Sequence, residues 1–77
     1  MPIPKELMQE MTLLAQFNLA TTQEGIKIHK DAAPEIKTAA RSLHAKGLID
    51  QQDGGYLTRL GQEAAEHVQA ALTILKV

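Results

Sequence analysis

The segment from Gly47 to Thr58, GLIDQQDGGYLT, constrains the fold of this chain more than any other stretch. It holds two short apolar runs, Leu48–Ile49 and Tyr56–Leu57, on either side of an Asp-Gly-Gly turn. Glycines that follow an aspartate supply the positive φ angles that tight hairpin turns require. Because apolar residues at helical spacing flank the segment on both sides, the pattern predicts a β-hairpin about Asp53–Gly55 that joins two helices.

The helix before this hairpin has the clearest signals. Pro34 suits the first turn of a helix, Glu35 suits the positive end of the helix dipole, and Gly47 is a typical residue to end it. We therefore predict a helix over residues 34–46. Its inward stripe is expected to be Ile36, Ala39, Ala40 and Leu43, and its outward face Lys37, Thr38, Arg41, Ser42, Ala45 and Lys46.

Two further helices are predicted at the ends of the chain. The first runs from about Pro4 to Phe17, and Asn18 is a plausible terminator because asparagine tolerates the left-handed conformation that ends helices. The last begins after Thr58, whose hydroxyl suits an N-cap. Its apolar residues at helical spacing predict an inward stripe of Leu60, Ala64, Val68, Ala71 and Leu75.

Residues 21–30, TTQEGIKIHK, are ambiguous. Thr21 and Glu24 fit a capping box, which favours a short helix through Lys30. The run GIKIH alternates apolar and polar residues, which is typical of a short strand. We favour the helix, so the predicted order is helix, helix, helix, hairpin, helix.

Length and composition indicate one small domain, 1–77, of the mainly α class with a β-hairpin (α+β). The chain has no cysteine, which excludes disulfides and thiolate metal sites. Because the chain has few aromatic residues, we expect a mainly aliphatic core. The residues expected to be buried together are Leu14, Ile36, Leu43, Leu57, Leu60 and Val68. The last helix carries apolar residues outside its inward stripe, namely Ala65, Leu72, Ile74 and Val77. They form either the seam of a homodimer or exposed aliphatic side chains on a monomer.

Neither end of the chain predicts a membrane segment. The N-terminal run MPIPKELMQEM has no apolar core like that of a signal peptide, and VQAALTIL near the other end is too short to span a bilayer. We expect a soluble cytoplasmic protein.

Charge is distributed unevenly along the chain. The net charge is −1, which weakens a case for strong nucleic-acid binding. Residues 27–46, however, contain five bases and two acids, so this segment carries a net charge of +3. The excess falls mostly on the helix predicted over 34–46.

The helix ending LHAKGLI, the turn DGG and the return YLTRLG together resemble the winged-helix domains of bacterial transcription factors. The resemblance covers Ala33 to about Ala71 and implies a winged helix-turn-helix fold in which the helix over 34–46 contacts DNA. The whole chain also resembles a family of short uncharacterised bacterial proteins, which implies no activity. The positions that match the winged-helix pattern are Leu43, Lys46, Gly47, Leu48, Ile49, Tyr56, Leu57, Thr58 and Gly61.

A DNA-binding hypothesis assigns roles to the outward face of this helix. Arg41 would reach a guanine edge in the major groove, while Lys37 and Lys46 would contact phosphates. Asp50 and Asp53 near the wing tip have the wrong sign for phosphates. The alternative is a winged-helix module that binds another protein and no nucleic acid. The predicted DNA-binding residues are Lys30, Lys37, Thr38, Arg41, Ser42, Lys46 and Arg59.

Catalytic and metal sites are not expected. The three histidines, His29, His44 and His67, fall on three predicted elements without the short spacings typical of metal ligands. Ser42 is the one serine and lies two residues from His44, a spacing at which side chains on a helix do not face each other. We therefore predict no enzyme, no cofactor and no metal site.

Overall fold

The computed structural model describes residues 2–20 and 25–76. The described residues form three helices and three short strands. The elements are α1 (Lys5–Leu14), β1 (Ile26–Lys27), α2 (Pro34–Ala45), β2 (Ile49–Gln51), β3 (Gly54–Leu57) and α3 (Arg59–Leu75). This mainly α fold with a β-hairpin and a long C-terminal helix confirms the predicted fold class.

The strands form one antiparallel sheet with the order β1-β3-β2. Ile49 lies opposite Leu57, and Ile26 lies opposite Gly55. The turn needs its glycines, because Gly54 and Gly55 have φ angles of 120° and 72°. A Cβ on Gly54 would also clash with the carbonyl oxygen of Ile26. The predicted hairpin is confirmed, and β1 extends it to three strands.

The prediction of a helix over residues 21–30 is wrong for the part of this segment that the structure describes. Thr21 to Glu24 lie outside the described residues, and Ile26–Lys27 form a strand. The amide of Ile28 continues this edge, since it donates a 2.7 Å hydrogen bond to the carbonyl oxygen of Asp53. Pairing with a strand distant in sequence therefore prevails over the local capping signal, and the alternation in GIKIH is the correct indicator.

Helix α1 ends at Leu14, three residues before the predicted Phe17. Asn18 does not end it in a left-handed conformation, since no described non-glycine residue has a positive φ. Its side-chain oxygen instead accepts a 2.9 Å hydrogen bond from the amide of Ala20. Beyond the end of the helix, the side-chain amide of Gln69 in α3 donates to the carbonyl oxygens of Leu14, Ala15 and Phe17.

Helix α2 matches its prediction closely. Pro34 occupies the first turn, and the helix ends at Ala45, after which Gly47 has a φ of +80°. The amide of Leu48 donates to the carbonyl oxygen of Leu43 at 2.9 Å, and that of Gly47 donates to His44 at 3.0 Å. These two bonds form a Schellman motif, which turns the chain directly into β2.

The core lies where the three helices meet the inner face of the sheet. Of the predicted core residues, Leu14 and Leu43 are buried, whereas Ile36, Leu57 and Val68 are partly buried and pack against the core. Among the described residues, the buried hydrophobic cluster is Leu13, Leu14, Phe17, Ala39, Ala40, Leu43, Ile49 and Ala65.

The predicted inward stripe of α3 is confirmed at Ala64 and Val68, which are partly buried against the core, and is wrong at Leu60, Ala71 and Leu75, which are exposed. Leu60 and Leu75 are 53% and 78% exposed, whereas Gly61 and Ala65 are buried. Gly61 lies against the chain between α2 and β2, where a Cβ on it would clash with the carbonyl oxygen of Leu48. Without a side chain, this residue lets the start of α3 approach that connection closely, which fits the burial of the face that carries Gly61 and Ala65.

Candidate nucleic-acid interface

A depression of about 660 Å³ opens between β1, the β1–α2 connection, α2 and the hairpin turn. We call it the basic depression, because four side chains with permanent positive charge line it. Among its described lining residues there is one carboxylate, that of Asp53. The lining consists of Lys27, Ile28, His29, Lys30, Lys37, Arg41, Gln52 and Asp53.

The fold brings these cations together from three elements. Lys37 and Arg41 lie one turn apart on α2, so their side chains share a face. Lys27 is exposed on β1. Lys30 lies in a turn closed by a 2.9 Å hydrogen bond from the amide of Ala32 to the carbonyl oxygen of His29.

A lysine of α2 holds the β1–α2 connection in place. The ammonium group of Lys37 donates a hydrogen bond to the carbonyl oxygen of Lys30. This contact places the Lys30 backbone beside α2 and leaves two other N–H donors on the Lys37 ammonium. The basic depression is therefore built partly by one of its own cations.

The two hairpin carboxylates have different positions. The side chain of Asp50 accepts a 2.9 Å hydrogen bond from the amide of Tyr56, where the pairing of β2 and β3 is irregular. Asp50 therefore has a local role in the hairpin. Asp53 lines the basic depression and is the acid that a bound anion would meet there.

Two of the predicted DNA-binding residues face α1 instead of the basic depression. The ammonium group of Lys46 lies 2.8 Å from both carboxylate oxygens of Glu10, and the hydroxyl of Ser42 donates to the same carboxylate. Glu10 is only 6% exposed. We call these three residues the Glu10 cluster.

The sequence carries a signal for the burial of Glu10. Glu10 precedes Leu13 and Leu14 by three and four residues, so all three share one face of α1. Both leucines are buried. A carboxylate on such a face needs a cationic partner, and Lys46 supplies it.

The remaining predicted residues are also accounted for. Thr38 is exposed and borders a second depression of about 340 Å³ between α1 and α2. Arg59 is exposed at the start of α3 and is not among the residues that line the basic depression. The structure thus groups Lys30, Lys37 and Arg41 of the predicted set, and it adds Lys27 and His29.

Two further properties concern the described part of the chain. No group of three or more histidine, aspartate or glutamate side chains there is arranged to hold a metal ion. Within residues 2–20 and 25–76, no helix combines the length and the apolar content needed to cross a bilayer.

Comparisons with known proteins assign a family and no activity. The chain matches neither a curated protein nor a solved structure. One family model matches residues 1–76, and its description is a family of unknown function, DUF5669. The match names no winged-helix domain, but it agrees with the resemblance of the whole chain to short uncharacterised proteins. With a match over nearly its full length, the chain belongs to this family of unknown function, DUF5669.

Proposed function

We propose that this protein binds double-stranded DNA through α2 and the basic depression, as a small transcriptional regulator of the winged-helix type. The observation that carries the proposal is the convergence of Lys27, Lys30, Lys37 and Arg41 on one surface. Cations grouped in this way attract phosphates and release the counterions condensed on DNA. The function proposed is binding and not catalysis.

The shape of α2 supports insertion into a major groove. The helix has 12 residues, so it is about 18 Å long. Thr38 and Ala45 are exposed and small, which allows the helix to approach base edges closely. Arg41 is exposed between them and can donate two hydrogen bonds to a guanine, while Lys37 binds a phosphate at the side.

The elements that follow α2 also support a winged-helix arrangement. The hairpin of β2 and β3 comes directly after α2, and its turn residues Gln52 and Asp53 border the basic depression. In the domains that the sequence resembles, a wing hairpin likewise follows the recognition helix. Here the wing would contribute a glutamine and no cation, so we assign DNA contact to α2 and the β1–α2 connection.

Useful affinity would require two copies of the chain. With Arg41 on a base edge, each chain has three lysines for phosphates, Lys27, Lys30 and Lys37. So few phosphate contacts give weak binding at physiological salt, and regulators of this kind usually bind two half-sites as dimers. Exposed apolar side chains on α3, at Leu60, Ile74 and Leu75, support a homodimer through this helix. Such a regulator acts in the bacterial cytoplasm, where the chromosome lies.

A second candidate function is a protein-interaction module that binds no nucleic acid. The same exposed side chains on α3 favour it, as does the low net charge of −1. Three acids, Glu6, Glu10 and Glu35, line the depression between α1 and α2. A partner protein would then cover α3 and leave the basic depression exposed.

Titration of DNA separates the two functions. Fluorescence anisotropy of a labelled mixture of genomic fragments at low salt should show saturable binding by the native chain. The double variant Lys37→Ala/Arg41→Ala should bind at least tenfold more weakly. Lys5→Ala is the matched control, because Lys5 lines the other depression and its loss should leave affinity unchanged. Absence of binding by the native chain at low salt would reject DNA in favour of a protein partner.

A further inference from the structure

The Glu10 cluster joins α1 to the C-terminal half of α2. Glu10 accepts hydrogen bonds from two side chains of α2, and its carboxylate is almost fully removed from solvent. A buried carboxylate of this kind is strongly unfavourable without a counter-charge, so Lys46 is held by the need to pair it. Half of the Lys46 side chain remains exposed, at 49%.

Helix α2 separates two surfaces of opposite charge. Lys37 and Arg41 point to the basic depression on one side of the helix. Ser42 borders the depression on the other side, where the described lining residues include three acids and one lysine: Glu6, Glu10, Glu35 and Lys5. Thr38 and Ala45 are exposed between the two sides.

We infer that Glu10 is a positioning residue that confines phosphate binding to the Lys37–Arg41 side of α2. The inference rests on the proposed function and specifies which phosphates the site accepts. Glu10 neutralises the charge of Lys46 and orients the Ser42 hydroxyl towards α1, so neither offers a phosphate an uncompensated charge or a free hydroxyl proton. DNA on α2 is then contacted along one strand, and the other strand faces carboxylates.

Glu10 and a DNA phosphate compete for the ammonium group of Lys46, and the outcome decides whether phosphates bind on one side of α2 or on both. A phosphate that captured Lys46 would replace two hydrogen bonds of 2.8 Å and leave Glu10 with Ser42 alone. An unpaired charge at such a buried position is disfavoured more than the loss of an exposed contact. Lys46 should therefore contribute nothing to the salt dependence of DNA binding, although its charge equals that of Lys37.

The test measures affinity for a labelled DNA duplex as a function of salt, using the full chain. Each phosphate contact contributes about −0.9 to the slope of log K against log salt. Lys37→Ala should make the slope shallower by about 0.9 for each chain bound to the duplex. Lys46→Gln should leave the slope unchanged, because Glu10 already compensates the charge of Lys46. Glutamine is chosen because it keeps a hydrogen-bond donor for the Glu10 carboxylate.

Releasing Lys46 gives the complementary measurement. Glu10→Gln keeps an acceptor for Ser42 and removes the charge that holds Lys46. This variant should bind DNA more tightly, with a slope steeper by about 0.9 for each bound chain. Adding Lys46→Gln to it should return the slope to the native value. A merely structural role for Glu10 would change stability, followed by circular dichroism, without changing the slope in this paired manner.

The outcomes distinguish the inference from the proposed function. If Lys46→Gln makes the slope as shallow as Lys37→Ala does, the inference is wrong while DNA binding stands. The same conclusion follows if folded Glu10→Gln keeps the native slope. If Glu10→Gln does not fold, the comparison of Lys46→Gln with Lys37→Ala decides alone. A native chain that binds no DNA rejects the proposed function and the inference with it.

Discussion

The side-chain amide of Gln69 donates a hydrogen bond of 2.8 Å to the carbonyl oxygen of Phe17. The same amide lies 3.2 Å from the carbonyl oxygen of Leu14 and 3.4 Å from that of Ala15. A residue of α3 thus satisfies backbone acceptors at the end of α1, which otherwise have no partner within their own helix. Packing of α3 on α1 therefore depends on a polar contact as well as on the hydrophobic core.

We expect Gln69→Ala to lower the free energy of unfolding by about 1–3 kcal/mol, because carbonyl groups that are partly buried lose their donor. Urea denaturation followed by circular dichroism measures this loss. Gln62→Ala is a matched control, since Gln62 is a half-buried glutamine of the same helix. Equal midpoints for Gln69→Ala and the native chain would show that water replaces the amide without loss.

The two leucines Leu43 and Leu60 should respond differently to truncation. Leu43 is fully buried, so Leu43→Ala should lower the free energy of unfolding by about 2–5 kcal/mol and can prevent folding of so small a chain. Leu60 is half exposed, so Leu60→Ala should change it by about 0.5 kcal/mol. Thermal melting compares the two, and a larger loss for Leu60 would contradict the orientation of α3.

Substitution by alanine should also destabilise the chain to different extents at two glycine positions, Gly61 and Gly47. Gly61→Ala places a Cβ against the carbonyl oxygen of Leu48, so the start of α3 must move away from the connection between α2 and β2. Gly47→Ala meets open space and carries only the strain of a positive φ, about 1 kcal/mol. We expect Gly61→Ala to melt at a lower temperature than Gly47→Ala. The reverse order would show that the contact between Gly61 and Leu48 adjusts easily.

Arg41 and Lys37 should affect DNA binding in different ways. Arg41→Ala should reduce discrimination between sequences by about 1–3 kcal/mol at one base pair, because a bidentate contact to a base edge is lost. Lys37→Ala should weaken binding to all sequences alike. Competition titrations with duplexes selected from random DNA measure both effects. Sequence preference that survives in Arg41→Ala would assign base recognition to another residue.

The exposed apolar residues at the end of α3 predict a homodimer that one charged substitution in this region should dissociate. Leu75→Asp or Ile74→Asp should convert a homodimer into a monomer in sedimentation velocity experiments, because a charge would be buried in the seam. Lys76→Glu, at the neighbouring exposed position, should leave the dimer intact. A native chain that sediments as a monomer at high concentration would contradict the dimer.

Local signals were sufficient for the hairpin and for α2. Gly47, Gly54 and Gly55 have the positive φ angles that their sequence context predicts, because a turn or a helix end depends on a few neighbouring residues. The buried face of α3 could not be predicted in this way. Alanines and aliphatic residues occupy a wide arc of this helix, and the close approach of Gly61 to Leu48, a tertiary contact, fits only one of the possible faces.

The candidate site could be predicted only in part for a related reason. Lys37 and Arg41 share a helix face, which spacing alone indicates. Lys27 joins them through the pairing of β1 with β3, a contact between residues far apart in sequence. The assignment of Lys46 to the outward face was incomplete, since the buried Glu10 is the partner that decides its direction.

Thr58 closes the base of the hairpin. Its amide donates to the carbonyl oxygen of Leu48, and its hydroxyl donates to that of Gly47 while it accepts from the amide of Gly61. Thr58 thus joins the two ends of the hairpin to each other. Because of this, a change in the length of the turn between β2 and β3 should not move α2 relative to α3. Extra residues inserted between Gln51 and Gln52, such as a short tag with a fluorophore, should therefore leave the helices in place and report on whatever occupies the adjacent surface.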